Sequence, residues 1–178
     1  SEMCIRDRLP SDIKNVKSIL FNSQEAAYLV GLIAGKMTET NNVGFIGGMD
    51  IPVIDTFKYG YMAGVKKANS NVQIQDQFAN SFTDQAKGKA IANQMYGQGA
   101  DIIFIAGGDV GTGAIEAAKE KNKYAIGVDR DQSDLAPKNV LTSAIKRVDV
   151  GVYETVKDLL DGKFEGGTVT VLSLIHIS

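Results

Sequence analysis

Hydrophobic positions along this chain alternate between two spacings. Short runs of continuous or alternating apolar residues are typical of strands, and longer stretches with apolar residues every three or four positions are typical of helices. Their alternation predicts the α/β class, in which helices cover a parallel sheet. The predicted strands are 15–21, 42–48, 72–79, 101–108, 124–129 and 139–146, and the predicted helices are 22–39, 53–68, 84–96, a segment ending at 121, and 148–161.

The kind of strand pattern predicts where each strand lies in the sheet. Segments 101–108 and 124–129 are continuously apolar, as expected for central strands that are covered on both faces. Segment 72–79 begins with strict alternation, which favours an edge or half-solvated strand.

The first predicted helix is apolar on most of its sides. Its apolar run is far shorter than the roughly 20 residues that a membrane span needs, so we expect a buried helix. The spacing of Asn22 and Glu25 predicts a capping box at its start. Gly31 and Gly35, four residues apart, would allow a neighbouring helix to approach closely.

Two predicted strand-to-helix turns share a local pattern. FIGGMD at 45–50 resembles FIAGGD at 104–109, and in both a strand runs into glycines and an Asp. Tight turns and helix caps favour these residues on their own account. The alternative is a ligand site, because open α/β sheets bind ligands at the carboxyl ends of their strands. The small residues at 111–113 favour a site at the second turn.

Composition narrows the possible functions. The chain has 178 residues, and its net charge of −2 gives no electrostatic reason to expect a nucleic acid or an anionic membrane surface as partner. One Cys and one His cannot form a disulfide framework or a zinc site. Thiol or imidazole catalysis would have to use Cys4 or His176, which lie at the two ends.

Both ends of the chain resemble translated sequencing adapter, in segments 1–8 and 173–178. An ordinary N-terminal segment and C-terminal strand are the alternative. We therefore expect an internal fragment of a longer protein. Cys4 would then not be a lipidation site, and the lack of a signal peptide would say nothing about location.

The motifs of common nucleotide-dependent and hydrolytic enzymes are absent from the sequence. GGDVGTG at 107–113, with Asp129 further on, suggests a dinucleotide site, but the order of its glycines is reversed relative to G-x-G-x-x-G. No P-loop and no G-x-S-x-G motif occurs. The acids of 127–134 are more typical of a solvated turn than of a glycosidase pair. We therefore expect a binding protein with no catalysis and no cofactor.

Six segments together resemble one known family. They are EAAYLVGLIAGKMT, VGFIGGMDIPVIDTFKYGYMAGV, SFTDQAKGKAIA, IFIAGGDVGTGAIEAAKE, GVDRDQSDLAP and VLTSAIKRVDVGVYE. They are similar to the basic membrane protein family of substrate-binding lipoproteins, whose characterised members bind purine nucleosides for an ABC transporter. The likeness runs from about Leu9 to Thr168.

This resemblance implies the fold of a type I periplasmic-binding protein, in which two Rossmann-like lobes grip a ligand between them. Residues 9–146 would form the second lobe with hinge strands, and 147–172 a helix and strand of an incomplete first lobe. The partners would be a purine nucleoside or related small molecule and a transporter permease, with no nucleic acid. The location would be extracytoplasmic, with a lipid anchor that this chain does not contain.

The resemblance also implies roles for individual residues. Asp129 would accept hydrogen bonds from ribose hydroxyls, as an acceptor-only carboxylate can. Lys146 would donate near the sugar, or would instead be a hinge lysine paired with Asp149. Phe82 would stack on the ligand, or would instead be a hydrophobic staple for its helix. Further candidate contacts are the backbone of Gly107 and Gly108, and the residues Met49 and Asp50.

Two other functions remain open from the sequence: the effector lobe of a transcriptional regulator and, with less support, a nucleotide-dependent Rossmann enzyme. The last helix carries an apolar stripe that we expect to be exposed in this chain, because its partner surface would lie in the missing lobe. The stripe comprises Val148, Val152, Val156, Leu159 and Leu160.

Overall fold

The computed structural model describes residues 13–173 and 175–177. This part of the chain contains all of the predicted helices and strands, with their ends shifted by a few residues. The elements are β1 (Lys17–Phe21), α1 (Ser23–Met37), β2 (Asn42–Gly47), α2 (Pro52–Ala68), β3 (Gln73–Phe78), α3 (Gln85–Gly97), β4 (Ile102–Ala106), α4 (Asp109–Lys121), β5 (Tyr124–Asp129), β6 (Val140–Lys146), α5 (Val148–Leu160), β7 (Thr168–Leu172) and β8 (Ile175–Ile177).

Six of the strands form one sheet, in the order β3-β2-β4-β5-β6-β8. All neighbours are parallel except β6 and β8, which are antiparallel. The prediction that β3 is an edge strand is confirmed, and β4 and β5 lie in the interior of the sheet as predicted. All five residues of β4 are buried, because helices cover both faces of the sheet at this point.

The helices complete a three-layer α/β fold, which confirms the predicted class. On one face, α1 and α2 enclose an aromatic cluster in which Phe104 contacts Phe45, Phe57 and Tyr61. On the other face, α3 and α4 cover a second core that includes Ile103 and Ile105. We call β2–β6, β8 and α1–α4 the six-stranded unit.

Glycines bring α1 and α2 into close contact. A Cβ atom on Gly31 would lie 2.3 Å from the Tyr61 carbonyl oxygen, and one on Gly35 would lie 2.7 Å from that of Val65. The predicted close approach is therefore confirmed. Burial of α1 on most sides is not, because Leu29 is exposed. In the described part of the chain, no helix is both long and apolar enough to cross a membrane.

The start of α1 differs from the predicted capping box. The Asn22 side chain donates to the Glu25 carboxylate at 3.0 Å, while the Glu25 N–H donates to the Asn22 backbone carbonyl. The two side chains therefore pair with each other. Neither of the two reciprocal side-chain-to-backbone bonds of a capping box is among the contacts of these two residues.

A second, smaller unit consists of β1, β7 and α5, which we call the two-stranded unit. β1 and β7 pair in parallel from Lys17–Thr168 to Phe21–Leu172. Lys17 forms an ion pair with Asp158 of α5 at 3.2 Å. β1, which we predicted within 9–146, thus pairs with a strand of 147–172 and not with the large sheet. The lobe boundaries themselves stay a prediction.

The apolar stripe of α5 is exposed, as the sequence predicted. In this helix only Gly151 is buried, facing β1 and β7. The predicted adapter segments remain a prediction: 1–8 lies outside the described residues, and the backbone at 175–177 pairs with β6 as β8. The exposed apolar side chains of α5 are Val148, Val152, Tyr153, Val156, Leu159 and Leu160.

Candidate functional site

The topology of the large sheet locates a crevice between β2 and β4. From β2 the chain passes through α2, on one face, to the edge strand β3, whereas from β4 it passes through α4, on the other face, to β5. The connections therefore diverge between these two neighbouring strands. Open α/β sheets bind ligands outside the carboxyl ends of the strands at such a point.

Backbone hydrogen bonds join three loops at this edge of the sheet. The Gly48 N–H donates to the Ala106 carbonyl at 3.0 Å, and the Ser81 N–H donates to the Gly48 carbonyl at 3.0 Å. The Asp109 N–H donates to the Phe82 carbonyl at 2.8 Å. The turns after β2 and β4 and the loop after β3 are thus held in a fixed relation to one another.

The Phe82 ring lies directly over Gly48. A Cβ atom on Gly48 would be 2.3 Å from the ring, so a side chain there would displace it. The alternative role as a hydrophobic staple does not fit, because Asp84 is the N-cap of α3 and the fourth helical residue is then Gly88, which has no side chain. Phe82 packs on the α1–α2 side of the sheet and is only partly buried.

Gly107 and Gly108 are the two glycines that we predicted to contact a ligand, and both pack closely against the protein. Gly108 has a φ of 59°, which favours glycine, and a Cβ atom there would lie 2.8 Å from the Phe82 carbonyl oxygen. Gly113 packs on the backbone of α3, where a Cβ would be 1.9 Å from the Gln85 carbonyl oxygen. Contacts within the protein thus account for the glycines at 108 and 113, whereas a Cβ atom on Gly111 would meet nothing nearer than 3.5 Å. Gly107 is buried beside Gly48.

Met49 and Asp50 are exposed on the turn after β2. They lie on the same edge of the sheet as the other predicted site residues, next to Gly48. Their position is compatible with contact to a molecule in the crevice.

Asp129 ends β5 in an unusual backbone conformation. Its φ is 67°, and the Arg130 N–H donates to the Val128 carbonyl at 2.8 Å across it. A three-residue turn with positive φ at its centre is rare and strained. Such strain is concentrated at functional sites, where the surrounding structure holds it in place.

One oxygen of the Asp129 carboxylate is buried, whereas the rest of the side chain is accessible to solvent. Its Oδ1 atom is buried and has no hydrogen-bond partner among the described residues. The side chain as a whole is 37% exposed, so the exposure comes from its other atoms. Burial raises the pKa of this carboxyl above its usual range, and the attraction of Lys146 offsets only part of that rise.

Lys146 lies at the end of β6, beside Asp129. Its Nζ atom is 3.8 Å from Asp129 Oδ1. The same ammonium lies 5.8 Å from the ring centre of Phe21 and 5.7 Å from that of Phe57, within the range of cation–π attraction. The alternative partner, Asp149, accepts hydrogen bonds from Arg147 at 2.9 and 3.0 Å.

Together these groups offer chemistry that would suit a polar ligand with a flat apolar part. The carboxylate accepts hydrogen bonds and the ammonium donates them, while aromatic rings lie close by. Phe21 belongs to the two-stranded unit and Phe57 to the six-stranded unit. The Asp129–Lys146 pair therefore lies where the two units meet.

Sequence reasoning missed four residues around this pair. Phe21 and Phe57 flank Lys146, and Gln132 and Ser143 make buried hydrogen bonds beside Asp129. The sequence places Phe57 only in the predicted helix 53–68 and Phe21 only in the predicted strand 15–21. Gln132 stands among charged residues, which gives no sign that it is buried.

Comparison with known proteins gives consistent matches over nearly the whole chain. The Bmp family model, described as ABC transporter substrate-binding protein PnrA-like, matches residues 3–176. Basic membrane protein D of Borreliella burgdorferi (strain JD1) is 46% identical over 164 residues, or 90% of this chain and 48% of that protein. The ABC transporter nucleoside-binding protein BmpA of Lactococcus lactis subsp. cremoris (strain MG1363) is 42% identical over 191 residues, or 98% of this chain and 54% of that protein.

A solved structure shows the same fold. The ABC transporter system solute-binding protein from Aeropyrum pernix K1 matches with a TM-score of 0.84 and 33% identity, over 93% of this chain and 50% of that one. The predicted type I periplasmic-binding fold is thereby confirmed. The chain spans about half the length of the curated relatives it matches.

Proposed function

Because this chain belongs to the Bmp family of PnrA-like ABC transporter substrate-binding proteins, we propose that it forms one side of a nucleoside-binding cleft. The full-length protein captures a purine nucleoside outside the cytoplasm, held at the membrane by a lipid anchor, and delivers it to a transporter permease. It has no catalytic activity of its own.

The observation that carries this proposal is the Asp129–Lys146 pair. The buried Oδ1 atom of Asp129 has no hydrogen-bond partner among the described residues, and the Lys146 ammonium, 3.8 Å away, offsets only part of the cost of its desolvation. A ligand hydroxyl that donates to this carboxylate recovers part of that cost. Two vicinal hydroxyls suit a carboxylate especially well, because it has several acceptor positions and no donor. The ribose of a nucleoside supplies such a diol.

Aromatic side chains at the same edge suit the other part of a nucleoside. Phe82 is partly buried over Gly48, beside the crevice between β2 and β4. A ring in that place offers a face or an edge on which a purine base or the ribose packs. Sugar hydroxyls at Asp129 and apolar contact at Phe82 would together orient the ligand.

Uptake would proceed by closure of the cleft. A ligand that contacts both halves stabilises the closed form, which the permease recognises. The position of Lys146 supports this mechanism, because its ammonium contacts aromatic rings from both units. Movement of one unit against the other would change those contacts directly.

Calorimetric titration of the full-length protein with inosine and guanosine tests the proposal. We expect Asp129→Ala to weaken binding by about 1–3 kcal/mol, through the loss of hydrogen bonds to the sugar hydroxyls. Asp134→Ala is the matched control, because this exposed carboxylate is paired only with Arg130 in the described structure. The proposal is wrong if the wild-type protein binds neither nucleoside, and the role of Asp129 is wrong if its variant binds both as tightly as wild type.

The two other functions left open by the sequence have less support. Gly108 and Gly113 are accounted for by contacts within the protein, and the glycines of 107–113 are not in the G-x-G-x-x-G order, which weakens the case for a nucleotide-dependent enzyme. Such an enzyme would be stabilised against heat by NAD, and we expect the melting temperature to stay constant in its presence. A transcriptional regulator would carry a helix-turn-helix upstream, which the sequence of the complete gene would reveal.

A further inference from the structure

A buried amide lies in the otherwise solvated loop that follows β5. Its neighbours Arg130, Asp131 and Asp134 are exposed, yet Gln132 is only 7% exposed. Burying an amide is unfavourable unless its polar atoms are hydrogen-bonded. The loop therefore holds Gln132 inward because it forms specific contacts there.

Those contacts join the end of β5 to β6. The Val128 N–H donates to Gln132 Oε1 at 2.9 Å, and the Gln132 N–H donates to Ser143 Oγ at 3.1 Å. Ser143 is fully buried within β6. Both hydrogen bonds lie away from water, where breaking either one leaves an unpaired backbone N–H.

The strand provides space for this arrangement at one residue, Gly127. A Cβ atom on Gly127 would lie 2.6 Å from Ser143 Oγ and 2.7 Å from Gln132 Oε1. Any larger residue would push the amide and the hydroxyl away. The side chains of Gln132 and Ser143 thus pack against Gly127. This residue lies two positions before Asp129, the candidate ligand-binding carboxylate.

These contacts restrict the backbone of the turn at Asp129. Val128 is fixed through its N–H by Gln132, and its carbonyl accepts from Arg130 to close the turn around Asp129. The φ of 67° at Asp129 is uncommon for a residue with a side chain, although Asp adopts positive φ more readily than most. Such a conformation persists only if its surroundings hold it.

We propose that Gln132 is a positioning residue: its buried amide holds the turn at Asp129 and so aims the carboxylate at the sugar of the ligand. The inference rests on the proposed function for the identity of the ligand, but not for the effect on the turn. Without the Gln132 acceptor, Asp129 relaxes toward negative φ and its carboxylate leaves the position that suits a diol.

The binding test uses Gln132→Met in the full-length protein. Methionine keeps the length of the side chain but is only a weak hydrogen-bond acceptor. The readout is the preference for inosine over 2′,3′-dideoxyinosine, measured by calorimetry, because only inosine has the hydroxyls that Asp129 would hold. We expect this preference to fall roughly tenfold, toward that of Asp129→Ala, as loss of one buried hydrogen bond would give.

Asn139→Ala is the matched control. Asn139 is also 7% exposed, and its amide donates to two backbone carbonyls, but it precedes β6 at the opposite end of the strands. We expect it to lower the melting temperature and leave the preference for inosine unchanged. Ser143→Ala is a second variant in case Gln132→Met does not fold. It removes the acceptor of the Gln132 N–H and should weaken the preference in the same direction.

A measurement without ligand separates this inference from the proposed function. The intraresidue NOE between the amide and α protons of Asp129 separates positive from negative φ, because the two protons lie closer together at positive φ. We expect this NOE to be strong in wild type and Asn139→Ala and weaker in Gln132→Met. If wild type binds no nucleoside, the proposed function fails and the NOE still decides the role of Gln132. The inference is overturned if Gln132→Met retains the wild-type NOE, or if it loses affinity equally for both ligands.

Discussion

The two units of this chain differ in how completely they cover their apolar surface. The six-stranded unit has helices on both faces of its sheet and two closed cores. The two-stranded unit has one helix, α5, which turns only Gly151 inward and leaves Tyr153 at 65% and Leu160 at 82% exposure. In this unit, the side chains of α5 that point away from β1 and β7 are not covered by any other described element. The comparison teaches that the first unit covers its apolar surface, whereas the second leaves the apolar side of α5 exposed.

The candidate site lies between the unit that covers its apolar surface and the unit that does not. The carboxyl-end loops of the six-stranded unit are held rigidly by hydrogen bonds between their backbones. Lys146 lies at the end of β6, between the two units, and its ammonium is near one aromatic ring of each. A ligand placed at Asp129 would thus lie against carboxyl-end loops that are held in fixed positions, close to the two-stranded unit.

The largest expected contrast is between two apolar truncations. Phe104→Ala removes a fully buried ring that contacts three other aromatic residues, and should lower the free energy of unfolding by about 3–5 kcal/mol. Leu160→Ala should change it by less than about 0.5 kcal/mol, because the side chain is largely exposed. Urea denaturation at protein concentrations low enough to keep the chain monomeric measures both. Equal losses would contradict the exposure of Leu160.

Replacing either of two helical glycines by alanine should change the free energy of unfolding, but in opposite directions. Gly64→Ala would place a Cβ atom 2.1 Å from the Tyr28 carbonyl oxygen, and should destabilise the chain by about 1–3 kcal/mol through forced separation of α1 and α2. Gly151→Ala meets atoms no nearer than 3.5 Å, and should stabilise α5 by up to about 1 kcal/mol through helix propensity. Thermal unfolding of the two variants checks the signs. Destabilisation by Gly151→Ala would contradict the free space that the structure shows around Gly151.

The exposed stripe of α5 should promote self-association of this chain. Replacing Val152 and Val156 by lysine should shift the chain toward monomer, because an exposed apolar patch favours association. We expect the free energy of unfolding to change by less than about 0.5 kcal/mol. Sedimentation velocity measures the association state, and Lys119→Ala on α4 is a surface control. A wild-type chain that stays monomeric at high concentration would contradict the expectation.

The smallest expected effect is the change in the free energy of unfolding with pH that comes from Asp129. Because the pKa of the Asp129 carboxyl is raised in the folded state, the folded chain binds more protons than the unfolded chain as pH rises through about 4 and above. Stability from this group therefore falls with rising pH, and Asp129→Asn should be more stable than wild type at pH 7. The difference should vanish in acid. Denaturation at several pH values tests this, and a variant less stable than wild type at neutral pH would contradict the sign.

Much of the fold was predictable because burial leaves a direct pattern in the sequence. β4 and β5 are covered on both faces, and this requirement produces their continuous apolar runs. β3 lies at an edge, which permits the alternation seen at its start. The pairing of β1 with β7 left no such pattern, because a strand's own residues do not specify a partner about 150 positions away.

The site was predictable in composition but not in geometry. Its residues came from a family resemblance and from the rule that ligands bind at carboxyl ends of strands. The positive φ of Asp129, the ring of Phe82 over Gly48 and the buried amide of Gln132 depend on contacts between distant segments. Such contacts leave weak signals in a single sequence, because each residue type involved also occurs in ordinary turns.

A crystal structure of the full-length protein with a purine ribonucleoside tests the central claim most directly. The account predicts that both ribose hydroxyls lie within hydrogen-bonding distance of the Asp129 carboxylate, with the Lys146 ammonium nearby. A nucleoside bound away from the carboxyl ends of the strands, or one whose sugar does not contact Asp129, would contradict it.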